Sequence, residues 1–421
     1  MNYIQFVRRN KTMSLFGIMM TTLSSFGQTF LLALYIPFLI EEFAITNSLI
    51  SSFYGIATIA SALILPKLGK YIDSVSLKNY TLMTTAIFLV ALVFFSFARV
   101  WWYIPIAFFG LRLAGQGLFS HIAITSMSRY FIENRGKAIS IASLGHPLGQ
   151  AILPAITLLI IAQIGWRESL WVNAVLVGVI VTLFTIFAIK PSHLQPESVI
   201  TNKDGSVKAP RVDKVRQRDI LKSKPFWLLA PNIFFVPFAI TGLFFFQFSI
   251  VEFKGWGIEF IALGLTSYAI ASTTSILTAG PLIDKYSAKT FFPFYLIPFL
   301  GALIVIYLVD SQWGIFAYMV LMGLSIGFGN ATVAALQVEF FGQTYIGTVR
   351  SLFTSLMVLS SAVGPALYGA ILDLGWGFDT VFLVTMGMLV IIIIQSFRAI
   401  PAYSLAKWKY KIKNRRKLGA K

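Results

Sequence analysis

The chain is predicted to be an all-α membrane protein of twelve transmembrane helices in two six-helix pseudo-repeats. Three observations predict it: extreme apolarity, twelve apolar runs of bilayer length, and an internal repeat at a fixed offset. Of the 421 residues, 57% are hydrophobic and only 12% charged, and the mean hydropathy is +0.79. Soluble domains carry about 25% charged residues, so most of this chain belongs in lipid. A span needs roughly 20 mostly apolar residues. The runs that qualify cover about 14–40, 46–66, 79–98, 102–128, 137–163, 168–189, 226–251, 260–282, 290–309, 313–338, 347–372 and 377–397. Runs longer than a bilayer is thick are accommodated by tilt. The alternation of a membrane β-strand is absent.

Charge supplies the orientation. The formal net charge is +18, but its distribution opposes a nucleic-acid reading. Of the 34 Lys and Arg, Arg99, Arg167 and Lys254 fall in loops on one side and Arg112 lies inside a span; the other 30 lie on the opposite side. By the positive-inside rule both termini are expected in the cytoplasm, in a bacterial inner membrane. The basic run from Lys407 to Lys417 reads as an anchor on anionic lipid rather than a nucleic-acid patch. The apolar run from Ser14 to Ile40 is too long for a signal-peptide core and reads as a retained first span. With no cysteine, disulfides and thiol chemistry are excluded.

The one long polar stretch, Lys190–Lys224, holds nine basic and four acidic residues and reads as a cytosolic linker. It divides the chain into a bundle over 1–189, the linker over 190–224, a second bundle over 225–398 and a basic tail over 399–421. The bundles repeat one another. Gly69, Asp73 and Lys78 after the second span recur as Gly280, Asp284 and Lys289 after the eighth, shifted by 211 residues. The same shift relates Gly136 to Gly347, Ser140 to Ser351 and Pro154 to Pro365. Such repeats mark secondary transporters, with a binding site at the repeat interface near midplane.

On these motifs the chain resembles the major facilitator superfamily over nearly its whole length. The family's signature loop is Gly-x3-Asp-Arg-x-Gly-Arg-Arg or Lys. The first copy keeps Gly69, Asp73 and Lys78 but departs at Ser74, Ser76 and Leu77; the second, Gly280 to Lys289 with Lys285 after Asp284, is closer. The runs Arg112 to Gly117, Arg129-Tyr-Phe, Arg135-Gly136-Lys and Gly165-Trp166-Arg167 are similar to the branch of monocarboxylate transporters and the oxalate–formate exchanger. The resemblance implies that Asp73 and Asp284 help latch the halves together at a helix junction, with Gly69, Lys78, Gly280, Lys285 and Lys289 completing the motif. An acid beside a helix N-terminus is stabilised there by up to about 2 kcal/mol. A plain loop pair of Asp73 with Lys78, or Asp284 with Lys289, is the competing reading.

Arg112 is the single charge placed deep in a span. It sits about ten residues past Trp102, or roughly 15 Å at 1.5 Å per residue, and no acidic residue falls mid-span to pair with it. Two readings stand: a cavity cation for an anionic substrate, suited to a carboxylate by its planar fork, or a structural group bonding helix ends. The first is preferred. His146 lies at similar depth with Ser143 and Gln150 on one helical face; it either takes up a proton near neutrality or hydrogen-bonds as a neutral ring. His121, nine residues past Arg112, is expected on the opposite face of the fourth span. Gln28, Gln116, Gln247 and Asn330 are polar residues in spans one, four, seven and ten, the helices the resemblance places around a cavity; interhelical bonding is the competing role for each. Phe244, Phe245 and Phe246 either line an aromatic cavity or face lipid, and lipid is preferred. Pro37, Pro147, Pro231, Pro237, Pro365, Gly242 and Gly364 are candidate kinks.

No enzyme constellation is present, and no Gly-x4-Gly-Lys-Ser/Thr loop supplies ATP as an energy source. No metal or other cofactor is expected from three His and no Cys. The expectation is a monomeric secondary transporter of a small organic anion, a carboxylate, by proton coupling or exchange. The alternative is an exporter of a drug-like or siderophore-like compound; a transport-dead sensor is disfavoured by the short loops. The orientation is testable directly. Single cysteines at Ser206 and Ser404 resist impermeant thiol reagents in intact cells if the 30-to-3 loop asymmetry sets topology; labelling of either from outside contradicts it.

Overall fold

The computed structural model describes residues 3–73, 75–131, 135–189, 217–341 and 346–399. Residues 190–216 of the expected linker, and the basic tail from residue 400 onward, lie outside them. The described chain is helical throughout, and twelve spans in two halves of six form the bundle. Nine of the helices are long and apolar enough to cross a membrane alone: Asn47–Gly69 (span two), Leu77–Ser96 (three), Ala138–Ile164 (five), Trp166–Ala188 (six), Lys224–Phe245 (seven), Phe260–Ile283 (eight), Gly314–Phe341 (ten), Leu352–Asp373 (eleven) and Gly377–Phe397 (twelve). Span one is broken into Lys11–Gly27 and Thr29–Phe43, bent by 50°. Span four runs through Tyr103–Leu111, Arg112–Phe119 and Ser120–Tyr130, with the middle segment a π-helix. Span nine is the short helix Ile297–Leu308, preceded by Ala288–Phe291.

Local chemistry sets several boundaries. Ser76 starts span three by accepting a hydrogen bond from the Asn79 amide at 3.3 Å, the usual service of an N-cap serine. Pro225 opens span seven, where a missing N–H costs nothing. Leu63, Val90, Leu277 and Ile391 lie exposed on the outer faces, where lipid replaces water. Between helices there is then little hydrophobic driving force, so close packing and small residues hold the bundle. Gly364 illustrates this: a Cβ there would meet the Phe238 carbonyl oxygen at 2.0 Å. Gly364 therefore marks a tight crossing of spans seven and eleven rather than a hinge.

The halves seal at one end. Span two and span eleven meet where Asp373, on the last residue of span eleven, accepts hydrogen bonds from the backbone amides of Asn47 (3.1 Å) and Ser48 (2.8 Å) and from the Asn47 side chain (3.3 Å). It thus caps the N-terminus of span two across the interface, with the helix dipole favouring its charge. Further along, a Cβ on Gly55 would sit 3.2 Å from the Ala362 carbonyl oxygen. Spans five and eight join through Thr266 Oγ1, which donates to Ala151 O at 2.8 Å. On the same end, Arg167 and Trp166 both donate to Glu42, Arg167 forms an ion pair with it, and Arg167 also donates to Ala98 O at 2.7 Å. That cluster ties span one, the turn before span four and the start of span six.

Past the Gly55–Ala362 contact the halves part. Thr58, Ser61 and Leu65 on span two, and Ser361, Val358 and Thr354 on span eleven, line a cavity instead of touching. The cavity extends toward the end that carries the repeated junctions near residues 70–76 and 287–289, and the Asp373 end is closed. Asp373→Ala deletes three hydrogen bonds from the seal, a loss of about 1–2 kcal/mol, or a factor of roughly 5–30 in population. Spin labels at the exposed Leu49 and Leu374 are expected to show a longer-distance population at least about fivefold larger than in the parent. An unchanged distance distribution contradicts the seal.

Candidate functional site

The central cavity has a volume of about 780 Å³ and is lined by spans one, two, four and five from the first half and seven, eight and eleven from the second. Its construction starts with the break in span one. The helix to Leu23 tightens into a 3₁₀ turn over Ser24–Gly27, and Gln28 is extended at φ −82° and ψ 153°. The Gln28 carbonyl then starts the next helix by accepting from Leu31 and Leu32 at 3.2 and 3.1 Å. A broken helix leaves carbonyls without i+4 partners, and inside a bilayer these must be satisfied by protein. Arg112 Nη1 donates to the Gly27 carbonyl at 3.3 Å. Gln247 Nε2, from span seven, donates to the Phe30 carbonyl at 2.8 Å.

Gly27 is required at this crossing. A Cβ there would meet Gln116 N at 2.2 Å and Leu111 O at 2.3 Å, so span four passes directly against the break. That proximity delivers the guanidinium to the freed carbonyl. The guanidinium also lies 4.9 Å from the centroid of the Tyr54 ring, a cation–π distance. The Tyr54 hydroxyl bonds Thr29 Oγ1 at 2.5 Å, and its ring packs edge-on against Phe245 of the other half at 5.0 Å. Arg112 is 4% exposed and its Nε has no partner. No carboxylate pairs with it among the described residues.

Arg112, Gln28, Gln116, His146 and Gln150 all face this one cavity. His146 Nδ1 lies 3.4 Å from Ser24 Oγ. Ser143, expected on the same face, turns back to its own helix and donates to Ile139 O at 2.9 Å. Two other sequence candidates sit elsewhere. Gln247 is 3% exposed and serves the Phe30 carbonyl. Asn330 lines a side chamber of about 240 Å³ with Asn232, Tyr295 and Gln337, which shares Pro237, Thr354 and Met357 with the main cavity. Span ten therefore borders the chamber and not the central cavity.

Two expectations are corrected. His121 lines the cavity with Arg112 instead of opposing it. The intervening π-helix widens each turn by close to one residue, so nine residues make about two turns rather than two and a half. Its Nε2 contacts the Gly69 carbonyl at 3.1 Å and its Nδ1 contacts Thr125 Oγ1 at 3.3 Å. His121 thus joins the cavity wall to the first residue of the signature motif. Phe244, Phe245 and Phe246 are 5%, 1% and 1% exposed, so none faces lipid; Phe244 lines the cavity and Phe245 packs on Tyr54.

At the junctions, Lys78 Nζ donates to Ile186 O at the end of span six at 3.0 Å. Lys285 lies 5.0 Å from the Tyr286 ring and Lys289 lies 5.3 Å from the Phe340 ring. A Cβ at Gly280 would meet nothing within 4 Å. The carboxylates of Asp73 and Asp284 fall outside the described side chains. The second junction has an acceptor that sequence reasoning missed: Glu339 accepts from Ser287 Oγ at 2.9 Å and from the Ala288 amide at 2.9 Å, capping the short helix before span nine. Polar residues around a cavity closed at one end, in two six-helix halves, are the architecture of a transporter of the alternating-access type.

The Major Facilitator Superfamily profile matches residues 18–265 and 249–415, and the chain belongs to that family. Among solved structures it is similar to a bacterial homologue of the human lysosomal transporter Spinster, described as inward-facing and unoccupied. The identity is 17%, 92% of this chain and 96% of that chain are covered, and the TM-score is 0.73. The nucleoside transporter NupG is 15% identical over 95% of this chain and 99% of its own, with a TM-score of 0.70. These likenesses are of fold. No functionally curated protein matches the chain.

Proposed function

We propose that this transporter carries an organic anion, a carboxylate, across a bacterial inner membrane, with both termini and the 190–224 linker in the cytoplasm. The observation that carries the reading is Arg112: of the residues lining the central cavity it is the one with a fixed positive charge, and no described carboxylate neutralises it. It donates to a neutral carbonyl, at 3.3 Å, which an incoming carboxylate outcompetes by charge. Gln28, Gln116 and Gln150 orient the ligand; Gln247 and Asn330, by their positions, do so only indirectly. Drawing the guanidinium toward substrate also loosens the brace on the span-one break and the Tyr54–Phe245 contact between halves. Binding then bears on the seal, as a ligand must if it is to shift a conformational equilibrium. Coupling is to a proton through His146 or to a counter-anion by exchange. At the junctions, Asp73 and Asp284 act as the latch of the opposite state, so Asp73→Asn is expected to enlarge the junction-open population, the reverse of Asp373→Ala in the same distance measurement; an unmoved population sinks the latch.

Arg112→Gln is expected to weaken carboxylate binding at least about tenfold, the worth of a charged hydrogen bond, while the protein stays folded because the amide can still serve the Gly27 carbonyl. Arg112→Lys recovers little, since an ammonium lacks the fork. Melting temperature and affinity are read on the same purified variants, and retained affinity with a lowered melting temperature leaves Arg112 a strut. In the same preparations, His146→Gln is expected to flatten the pH dependence of uptake between about pH 5 and 8; a parent-like profile removes His146 from coupling and leaves exchange.

A further inference from the structure

The two walls of the cavity differ in chemistry. Arg112, Gln28, Gln116, Gln150, His121 and His146 all belong to the first half. The second half faces them with Pro237, Ile240, Phe244, Met357 and Val358, and its polar groups among the described residues are the hydroxyls of Thr241, Tyr268, Thr354 and Ser361. Among the described residues, neither wall contributes a carboxylate, and the second contributes no charge of either sign. A second acid on the substrate would find no cation, and an ammonium would find no acid; in a cavity of low dielectric either unpaired charge is costly. Volume points the same way. The 780 Å³ of the cavity is room for roughly 26 waters at about 30 Å³ each. A carboxylate of two or three carbons displaces only about three or four of these and leaves the apolar wall wet. The side chamber, which shares Met357 and Pro237 with the cavity, adds apolar surface from Ile233, Val236 and Phe353 beside its polar Asn232, Tyr295, Asn330 and Gln337.

From this asymmetry we infer that the substrate is an amphipathic monoanion, with one acidic head held by the first half and an apolar body long enough to lie on the second. The inference rests on Arg112 as the anion site. It also explains how one ligand engages both halves: the head contacts spans one, four and five, and the body contacts spans seven and eleven. A short carboxylate reaches only the first wall and has little means of drawing the halves together.

The test is a ligand series on the purified full-length protein in nanodiscs: acetate, butanoate, hexanoate and octanoate, with octanol and the eight-carbon dianion suberate, all below micelle-forming concentrations. Affinity is measured by calorimetry for the parent, Arg112→Gln and Met357→Gln; partition into the nanodisc is common to all three and cancels. From butanoate to octanoate the parent is expected to gain about two- to fourfold per methylene. Octanoate binds at least about tenfold more tightly than octanol or suberate. Arg112→Gln erases the preference for octanoate over octanol, and Met357→Gln weakens octanoate severalfold without moving butanoate. Butanoate binding as tightly as octanoate, or suberate as tightly as octanoate, overturns the amphipathic monoanion and leaves the carboxylate site standing. Octanol matching octanoate in the parent, with no effect of Arg112→Gln, overturns the anion site itself.

Discussion

The contact between the Arg112 guanidinium and the Gly27 carbonyl is the constraint on which the site depends. A helix broken in mid-bilayer exposes backbone carbonyls that neither water nor lipid can satisfy, and an arginine at that depth is equally costly without a partner. Each removes part of the other's cost. Gly27 permits the approach of span four, the π-helix over Arg112–Phe119 sets the direction of its side chains, and the Tyr54 ring supports the guanidinium on the side facing the other half. The group proposed to bind the anion therefore also braces the helix break and touches, through Tyr54 and Phe245, the surface along which the halves meet.

The seal and the cavity divide spans two and eleven between them. At the closed end, close packing and the Asp373 cap on Asn47 and Ser48 hold the halves; beyond Gly55 the same two helices line the space for substrate. The hydrogen bonds that hold the seal are individually modest, of the order of 1 kcal/mol each. A modest sum suits a protein that must open there. A seal built from a large apolar interface would resist reopening, and the amphipathic ligand proposed above supplies comparable free energy by bridging both walls.

Much of this was legible in the sequence. Span number and the division into halves followed from run length and from the 211-residue shift, both properties of the chain read in one dimension. The burial of Arg112 without a described carboxylate beside it agrees with helical rise and with the absence of mid-span acids. What stayed hidden was three-dimensional. His121 was placed on the wrong face because regular α-helical geometry was applied across a π-helix, for which the paired Gly115 and Gly117 were the available hint. Gln247 and Asn330 look like Gln116 in sequence, and only packing sends one to a backbone carbonyl and the other to a side chamber. Phe244 to Phe246 read as lipid-facing because apolarity does not say which apolar surface a residue meets. Nothing in the sequence marks Asp373 and Glu339, at the ends of their spans, as caps, since their capping partners come from other helices, in the case of Asp373 more than 300 residues away.

The most direct test is structural, on the bound ligand itself. Magic-angle-spinning NMR of the protein labelled with ¹⁵N at arginine, with octanoate labelled by ¹³C at its carboxyl carbon, reads the dipolar coupling between head group and guanidinium. The account predicts strong dephasing of the carboxyl signal in the parent, as in a direct charged hydrogen bond, and its loss in Arg112→Lys under conditions where ligand is still bound. Dephasing that persists in that variant, or a bound carboxylate with none in the parent, contradicts the assignment of Arg112 as the anion site.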